Sequence, residues 1–185
     1  MISDILDEAE LKMDAAVEYA KEEFSAIRTG RAHPAMFNKI TADYYGAPTP
    51  LQQLATFTSP DPRSMVITPF DRSAIGAIEK AIQKSDLGLM PANDGKLIRL
   101  PIPPLTEERR KELVKIAHQY AESARVAVRH VRRDGMEHAK KAEKDGVISQ
   151  DESRIQSERV QKMTDEKISR IDSMLVEKEA EIMQV

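Results

Sequence analysis

Pro101-Ile102-Pro103-Pro104-Leu105-Thr106-Glu107-Glu108-Arg109-Arg110-Lys111-Glu112-Leu113 is where this chain changes character. Its three prolines are the last of ten, and all ten lie between Pro34 and Pro104. Proline lacks the backbone donor and breaks helix interiors. Residues 1–33 and 105–185 can therefore form long uninterrupted helices, and the middle cannot. The expected fold class is α+β. Residues 1–30 and 105–185 make a long antiparallel three-helix bundle, and residues 31–104 make a small inserted β/α domain. The chain crosses between these parts twice, and Gly30, Arg31, Ala32, Pro103, Pro104 and Leu105 are the expected hinge.

After this stretch, Thr106 is a candidate N-cap, and Glu107 and Glu108 favour the positive end of a helix. The helix is expected to run to about Asp145, roughly 60 Å at 1.5 Å per residue. Leu113, Ala117, Tyr120, Ala124, Ala127 and Val131 step by four and three along it, a narrow bundle-type seam. Gly135 interrupts it at a cost of about 1 kcal/mol relative to alanine. Asp145-Gly146 ends it, and Ser149-Gln150-Asp151-Glu152 reads as a capping box. A further helix should reach about Met183 with Val160, Thr164, Ile168, Ile171, Leu175 and Ile182 buried. The first helix is expected from Ser3, its N-cap, to Thr29. Its face is Ile2, Leu6, Ala9, Met13, Ala16, Ala20, Phe24 and Ile27.

In the insert, Lys39–Tyr45, Leu51–Thr58 and Ser64–Pro69 read as strands, with Gly46–Pro50 ending the first and Ser59–Pro62 separating the others. Asp71 or Ser73 caps a short helix bearing Ile75, Ile78 and Ile82. Leu87–Pro91 and Lys96–Leu100 flank a turn at Ala92-Asn93-Asp94-Gly95. Phe37, Tyr44, Tyr45, Phe57 and Phe70 are expected to fill this core.

Composition narrows the function. Of 185 residues, 41% are hydrophobic but only 4% aromatic, so the bundle core must be aliphatic. The absence of cysteine removes disulfides and thiolate metal sites. There is no apolar run of the roughly eighteen residues a membrane helix needs. The start, MISDILDEAE, lacks the basic region and apolar run of a secretion signal. A cytoplasmic protein is expected, and no membrane contact. There is no glycine-rich phosphate loop, nucleophile elbow or HExxH. His33, His118, His130 and His138 lack metal-site spacing. The expectation is a protein without catalytic residues, metal or cofactor.

The net charge of −3 conceals a local asymmetry. Lys111, Lys115, His118, Glu122, Arg125, Arg129 and Arg132 form a second stripe on the long helix, about 135° from the seam at roughly 100° per residue. Arg133 widens it. Arg109–Arg133 holds eight Lys or Arg against Glu112 and Glu122, whereas Met1–Ile27 holds eight acids against Lys12 and Lys21. A charged helix face is ordinarily a solvated one. Here the excess has one sign on one face, and arginine dominates its far end, where the planar fork suits phosphate. Arg125, Arg129, Arg132 and Arg133 are therefore candidate contacts to a nucleic-acid backbone, and some could instead pair within the bundle. Arg28, Arg31, Arg109 and Arg110 form a second basic group about 30 Å along the helix, a separation suited to a large structured RNA.

Five segments, in order, resemble the bacterial ribosome recycling factor family: Ile27-Arg28-Thr29-Gly30-Arg31-Ala32-His33-Pro34, Tyr44-Tyr45-Gly46-Ala47-Pro48-Thr49-Pro50-Leu51, Asp86-Leu87-Gly88-Leu89, Pro103-Pro104-Leu105-Thr106-Glu107-Glu108-Arg109-Arg110 and Ala127-Val128-Arg129-His130-Val131-Arg132-Arg133-Asp134. His130 and His33 depart from the family's commonest pattern. The resemblance implies an L-shaped monomer of transfer-RNA dimensions that binds the post-termination ribosome. With elongation factor G and GTP it would promote dissociation into subunits and release of messenger and transfer RNA, hydrolysing nothing itself. Arg132 and Arg129 would contact large-subunit ribosomal RNA, and Arg28, Gly30, Arg31 and Arg110 would form a hinge-side contact. The alternative from the residues alone is a helical protein-binding adaptor or chaperone that uses the basic face.

Overall fold

The computed structural model describes residues 2–184, with side chains from residue 4. Ile2 and Ser3, expected as stripe and cap of the first helix, lie outside the described side chains. Three long helices and one small β/α body account for most of these residues. Helix α1 spans Ile2–Ser25, α4 spans Glu107–Lys144 and α5 spans Gln150–Met183. Between them lie β1 (Thr41–Tyr44), β2 (Ala47–Pro50), α2 (Leu51–Leu54), β3 (Ala55–Asp61), β4 (Ser64–Pro69), α3 (Ile75–Lys84), β5 (Ala92–Asn93) and β6 (Ile98–Pro101).

The chain divides into two compact units. The first joins the chain up to Phe24 with Val114–Glu181; the second joins Ser25–Leu113 with the segment from Ile182. The division thus falls several residues outside the one expected at 31 and 105. Residues on both expected joints bond within the second unit. The Ala32 N–H donates to the Pro62 carbonyl at 2.8 Å and the Ile102 N–H to that of Arg63 at 2.7 Å.

In the first unit, α1 buries Ala9, Met13, Val17, Ala20 and Phe24, and α5 buries Val160, Thr164, Ile171 and Leu175. On α4 the buried line is Leu113, Ala117, Ala121, Ala124, Val128 and Ala139. Ala121 and Val128 replace the expected Tyr120 and Ala127, and Ala127 is exposed. The period allows either set; the packing turns the seam by about 45°. Gly135 stands where all three helices meet. A Cβ there would lie 3.4 Å from both Val160 methyls and 4.0 Å from Ala9, so close approach of backbone explains the glycine.

The joint between α4 and α5 is local chemistry. The Val147 N–H reaches the Ala142 carbonyl at 2.9 Å and the Gly146 N–H that of Glu143 at 3.0 Å, with Gly146 at φ 70°. This is a Schellman termination. The capping box then closes. The Ser149 N–H donates to Glu152 Oε2 at 2.7 Å, and the Glu152 N–H donates to Ser149 Oγ at 3.2 Å.

The second unit contains a four-stranded antiparallel sheet, in the order β3-β4-β6-β5, and a separate β1–β2 hairpin. Met65 and Ile67 of β4 and Ile98 and Leu100 of β6 share a core with Ile78 and Ile82 of α3, Phe37 and Ala42. Several expectations change here. Ala47–Pro50 is a strand, because Tyr45 (φ 52°) and Gly46 (φ 80°) make a two-residue hairpin turn. Leu51–Leu54 is a helical turn before β3. Leu87–Pro91 forms no strand, and Ala92-Asn93 pairs with β6 instead of turning. Asp94 makes the turn, its Oδ1 accepting from the Lys96 and Leu97 N–H groups at 2.9 Å. Tyr45 and Phe70 are 83% and 70% exposed, so they lie outside the core; Phe37 stacks on Phe57 with centroids 5.1 Å apart.

Candidate nucleic-acid interface

The turned seam sorts the arginines of α4 into two rows. His118, Arg125 and Arg132 recur every seven residues, the flanking position beside a bundle seam, where cross-helix polar pairs form. Their partners come from α5. His118 pairs with Glu179. Arg125 Nε donates to Asp172 Oδ1 at 2.8 Å, Nη2 lies 2.6 Å from the same oxygen, and Nη1 is 3.1 Å from Glu122. Arg132 Nη1 reaches Gln161 Oε1 at 3.5 Å. Burial works against the charge of Arg125, but the bonds from Asp172 and Glu122 outweigh it and hold its pKa above the ordinary value. Its side chain is 19% exposed. Arg125 is thus a clamp between α4 and α5.

Arg129 and Arg133 form the outer row. Arg129 is 45% exposed and lies 3.2 Å from Glu122. Arg133 is exposed and has no ion pair or hydrogen bond among the described residues. Arg132 is the loosest member of the inner row, half-buried and only weakly held. Glu122 serves two arginines at once, so it neutralises neither fully. The face offers guanidinium groups spaced along a rigid helix, the arrangement that tracks a phosphate backbone.

The second basic group lies within the other unit. Gly30 turns the chain at φ 80°, and a Cβ there would touch Leu105 at 3.7 Å. Arg28 points inward. Its guanidinium donates to the Leu87 carbonyl at 3.3 Å and to that of Pro103. Burial, and then repulsion from Arg109, lowers its pKa. The Nε atoms of Arg28 and Arg110 are buried without a partner among the described residues, and Arg110 Nη1 donates to the Met183 carbonyl at 3.5 Å. Arg28 therefore ties the strand-free segment at Leu87 and the proline segment together. Arg31 is exposed. Of the expected hinge residues, Pro103 meets this group through its carbonyl, Gly30 packs on Leu105, and the Ala32 N–H bonds elsewhere, to Pro62. Sequence periodicity could not reveal the strut role of Arg28, because its acceptors are carbonyls 59 and 75 residues away.

Two further histidines, His33 and His130, have structural partners. His33 Nδ1 accepts from the Ala35 N–H at 3.1 Å, capping a short 3₁₀ turn, and His130 lies 3.1 Å from Asp134. Among the described residues no group of three or more His, Cys, Asp or Glu could hold a metal, and no helix is long and apolar enough to cross a membrane. The apolar cavity at the end of the bundle, lined by Ile5, Leu6, Gly135, Ala139, Ile148 and Val160 among others, holds about 140 Å³. That is below the ~300 Å³ at which small-molecule pockets begin.

Comparison with known proteins matches residues 20–183 to the family described as "Ribosome recycling factor". A protein of Chelativorans sp. (strain BNC1) named ribosome-recycling factor is 56% identical over 174 residues, covering 94% of each chain. One of Bacillus subtilis (strain 168) with the same name is 53% identical over 185 residues, covering 100% of both. Among solved structures, a solution structure of ribosome recycling factor has a TM-score of 0.79 at 45% identity, covering 100% of this chain and 98% of the other. Another similar chain belongs to models of the T. thermophilus factor and E. coli elongation factor G bound to the E. coli post-termination complex. Its TM-score is 0.71 at 43% identity, with full coverage of both chains.

Proposed function

The chain belongs to the ribosome recycling factor family, and on that footing we propose that it binds the post-termination ribosome through the outer arginines of α4. With elongation factor G and GTP it then promotes separation of the subunits and release of messenger and transfer RNA. It acts in the cytoplasm, as a monomer, and catalyses no bond change itself. The observation that carries this reading is the match of both chains over their full length, joined to an arginine row that the bundle leaves outward.

Arg129 and Arg133 of that row, with the weakly held Arg132 of the inner row, grip ribosomal RNA of the large subunit. Arg125 holds α5 against α4 and contributes through the positions of its neighbours. On the second unit, Arg31 and Arg110 face RNA, while Arg28 fixes the segment that carries them.

Binding to purified large subunits tests this. The Arg129→Ala/Arg132→Ala protein should lose affinity, since a charge-assisted hydrogen bond is worth about 1.5–3 kcal/mol. Its thermal midpoint should hold, and the dependence of affinity on salt should flatten by about one unit of slope for each phosphate that is no longer neutralised. Arg125→Ala should show the reverse, a lower midpoint with a smaller loss of affinity. Unchanged binding by the double variant would refute the assignment.

A further inference from the structure

The β1–β2 hairpin has two outer edges of different chemistry. Its two-residue loop makes Tyr44 and Ala47 the closing pair, and the register continues Asp43↔Pro48, Ala42↔Thr49, Thr41↔Pro50. Antiparallel ladders alternate hydrogen-bonded and non-hydrogen-bonded pairs. Tyr44/Ala47 and Ala42/Thr49 are therefore bonded, and Asp43/Pro48 and Thr41/Pro50 are not. The backbone groups of the non-bonded pairs point outward. On β2 these positions are both proline, so that edge has no donor and cannot take a further strand. On β1 they are Thr41 and Asp43, each with an N–H and a C=O and without a backbone partner among the described residues.

Beside this open edge lies a groove of about 530 Å³, lined by Thr41, Ala42, Asp43 and, from α3, Gly76, Ala77, Lys80, Ala81 and Lys84. The exposed members, Gly76, Lys80 and Lys84, are centred about 180° from Ile78 and Ile82, which face the core, and Ala77 and Ala81 at the margin are half-buried against that core. Helix α3 thus has the four-stranded sheet's core on one face and, on the other, a small-residue floor that the two-stranded hairpin covers only in part. The carboxylate of Asp43 accepts from the Gly46 N–H at 2.9 Å and is occupied at the hairpin tip. Lys80 and Lys84 are exposed and have no carboxylate partner among the described residues.

We propose that the outer edge of β1 and this face of α3 take an extended acidic peptide segment of a partner protein, as a third strand beside the hairpin. Lys80 and Lys84 are one turn apart, about 6 Å along the axis. Alternate side chains of a strand are about 6.6–6.8 Å apart, so two carboxylates at i and i+2 meet the two ammonium groups. The missing side chain of Gly76 and the methyl groups of Ala77 and Ala81 leave room for the residues that point down. The alternation of donor and acceptor on Thr41 and Asp43 matches a peptide backbone. A phosphodiester chain offers acceptors to both and would leave the carbonyls unmet. This inference is independent of how the arginines of α4 act.

The test uses the ¹⁵N-labelled full chain with acetyl-Val-Glu-Val-Glu-Val-amide, its Val-Lys-Val-Lys-Val counterpart and an oligouridylate as probes. The acidic peptide should shift the amide signals of Thr41–Tyr44 and of Gly76–Lys84, and slow hydrogen exchange at Thr41 and Asp43. Lys80→Glu/Lys84→Glu should weaken it by about tenfold or more. Thr41→Pro removes only an outward donor and should abolish the slowed exchange at Asp43; should that variant unfold, the lysine pair decides alone. No shift at about millimolar peptide overturns the proposal. So does a shift without slowed exchange at Thr41 and Asp43, or equal effects from the basic peptide or the oligouridylate.

Discussion

At the scale of single residues, charge alone says little about role. Arg125 and Arg129 are four positions apart on one helix, yet Asp172 and Glu122 hold the first while the second stands outward with Glu122 alone. The same holds for glycine. Gly30 adopts φ 80°, a region that costs other residues about 1–2 kcal/mol, and it brings Leu105 within 3.7 Å of where a Cβ would sit. Gly76 is helical, with open space around its missing Cβ. Gly30→Ala should therefore lower stability by about 1–2 kcal/mol, whereas Gly76→Ala should raise it by about 0.5–1 kcal/mol. Denaturant midpoints of the two variants check this, and equal shifts would show that Gly30 is not conformationally required. Gly135 is a third case. Its space is closed by Val160 and Ala9, so Gly135→Val should overpack the bundle and cost about 1–3 kcal/mol.

At the scale of elements, the ends of the long helices are set by short-range bonds. Thr106 Oγ1 accepts from the Arg109 N–H at 3.2 Å, and Ser149 and Glu152 satisfy each other. The backbone N–H of Ser149 and then its hydroxyl hold the Glu152 carboxyl below its ordinary pKa. A carboxyl lowered on folding stabilises the folded state fully above its unfolded pKa, near 4.3. That stabilisation is lost as pH falls through the lower folded value. Ser149→Ala should accordingly cost about 1 kcal/mol at neutral pH, and the gap between variant and parent should narrow below about pH 4. Thermal melts at pH 7 and at pH 3 measure it. A gap that is constant across that range would mean the hydroxyl, not the carboxylate, carries the cap.

At the scale of the whole molecule, the core residues of the first unit come from α1, α4, α5 and, with Ile148, the α4–α5 joint, and none from the segment between Gly30 and Leu105. Replacing Ala32–Pro103 by a short glycine-containing loop should leave a helical protein that unfolds cooperatively and still binds large subunits through Arg129, Arg132 and Arg133. It should fail to support subunit separation with elongation factor G and GTP. Binding and separation are to be measured apart. Normal separation by the shortened chain would show that the insert plays no part in transmitting force, and loss of folding would show that the helices need the second unit.

The confinement of proline to Pro34–Pro104 determined by itself where helices could be long. Thr106, Asp145-Gly146 and Ser149–Glu152 marked both ends of α4 and the start of α5, because caps depend on neighbours within about four residues, whereas α1, expected to reach Thr29, ends at Ser25. The five motif segments were enough to indicate the family. Tertiary packing alone decided the phase of the α4 seam. Tyr120 and Ala121, or Ala127 and Val128, satisfy the helical period equally, and only the facing surfaces of α1 and α5 choose between them. That choice of about 45° decided which arginines became interhelical clamps and which stayed outward. The insert was less legible for the same reason. Strand pairing is non-local, so a run such as Ala47–Pro50 could be recognised as a strand only once Tyr45 and Gly46 folded it back on β1.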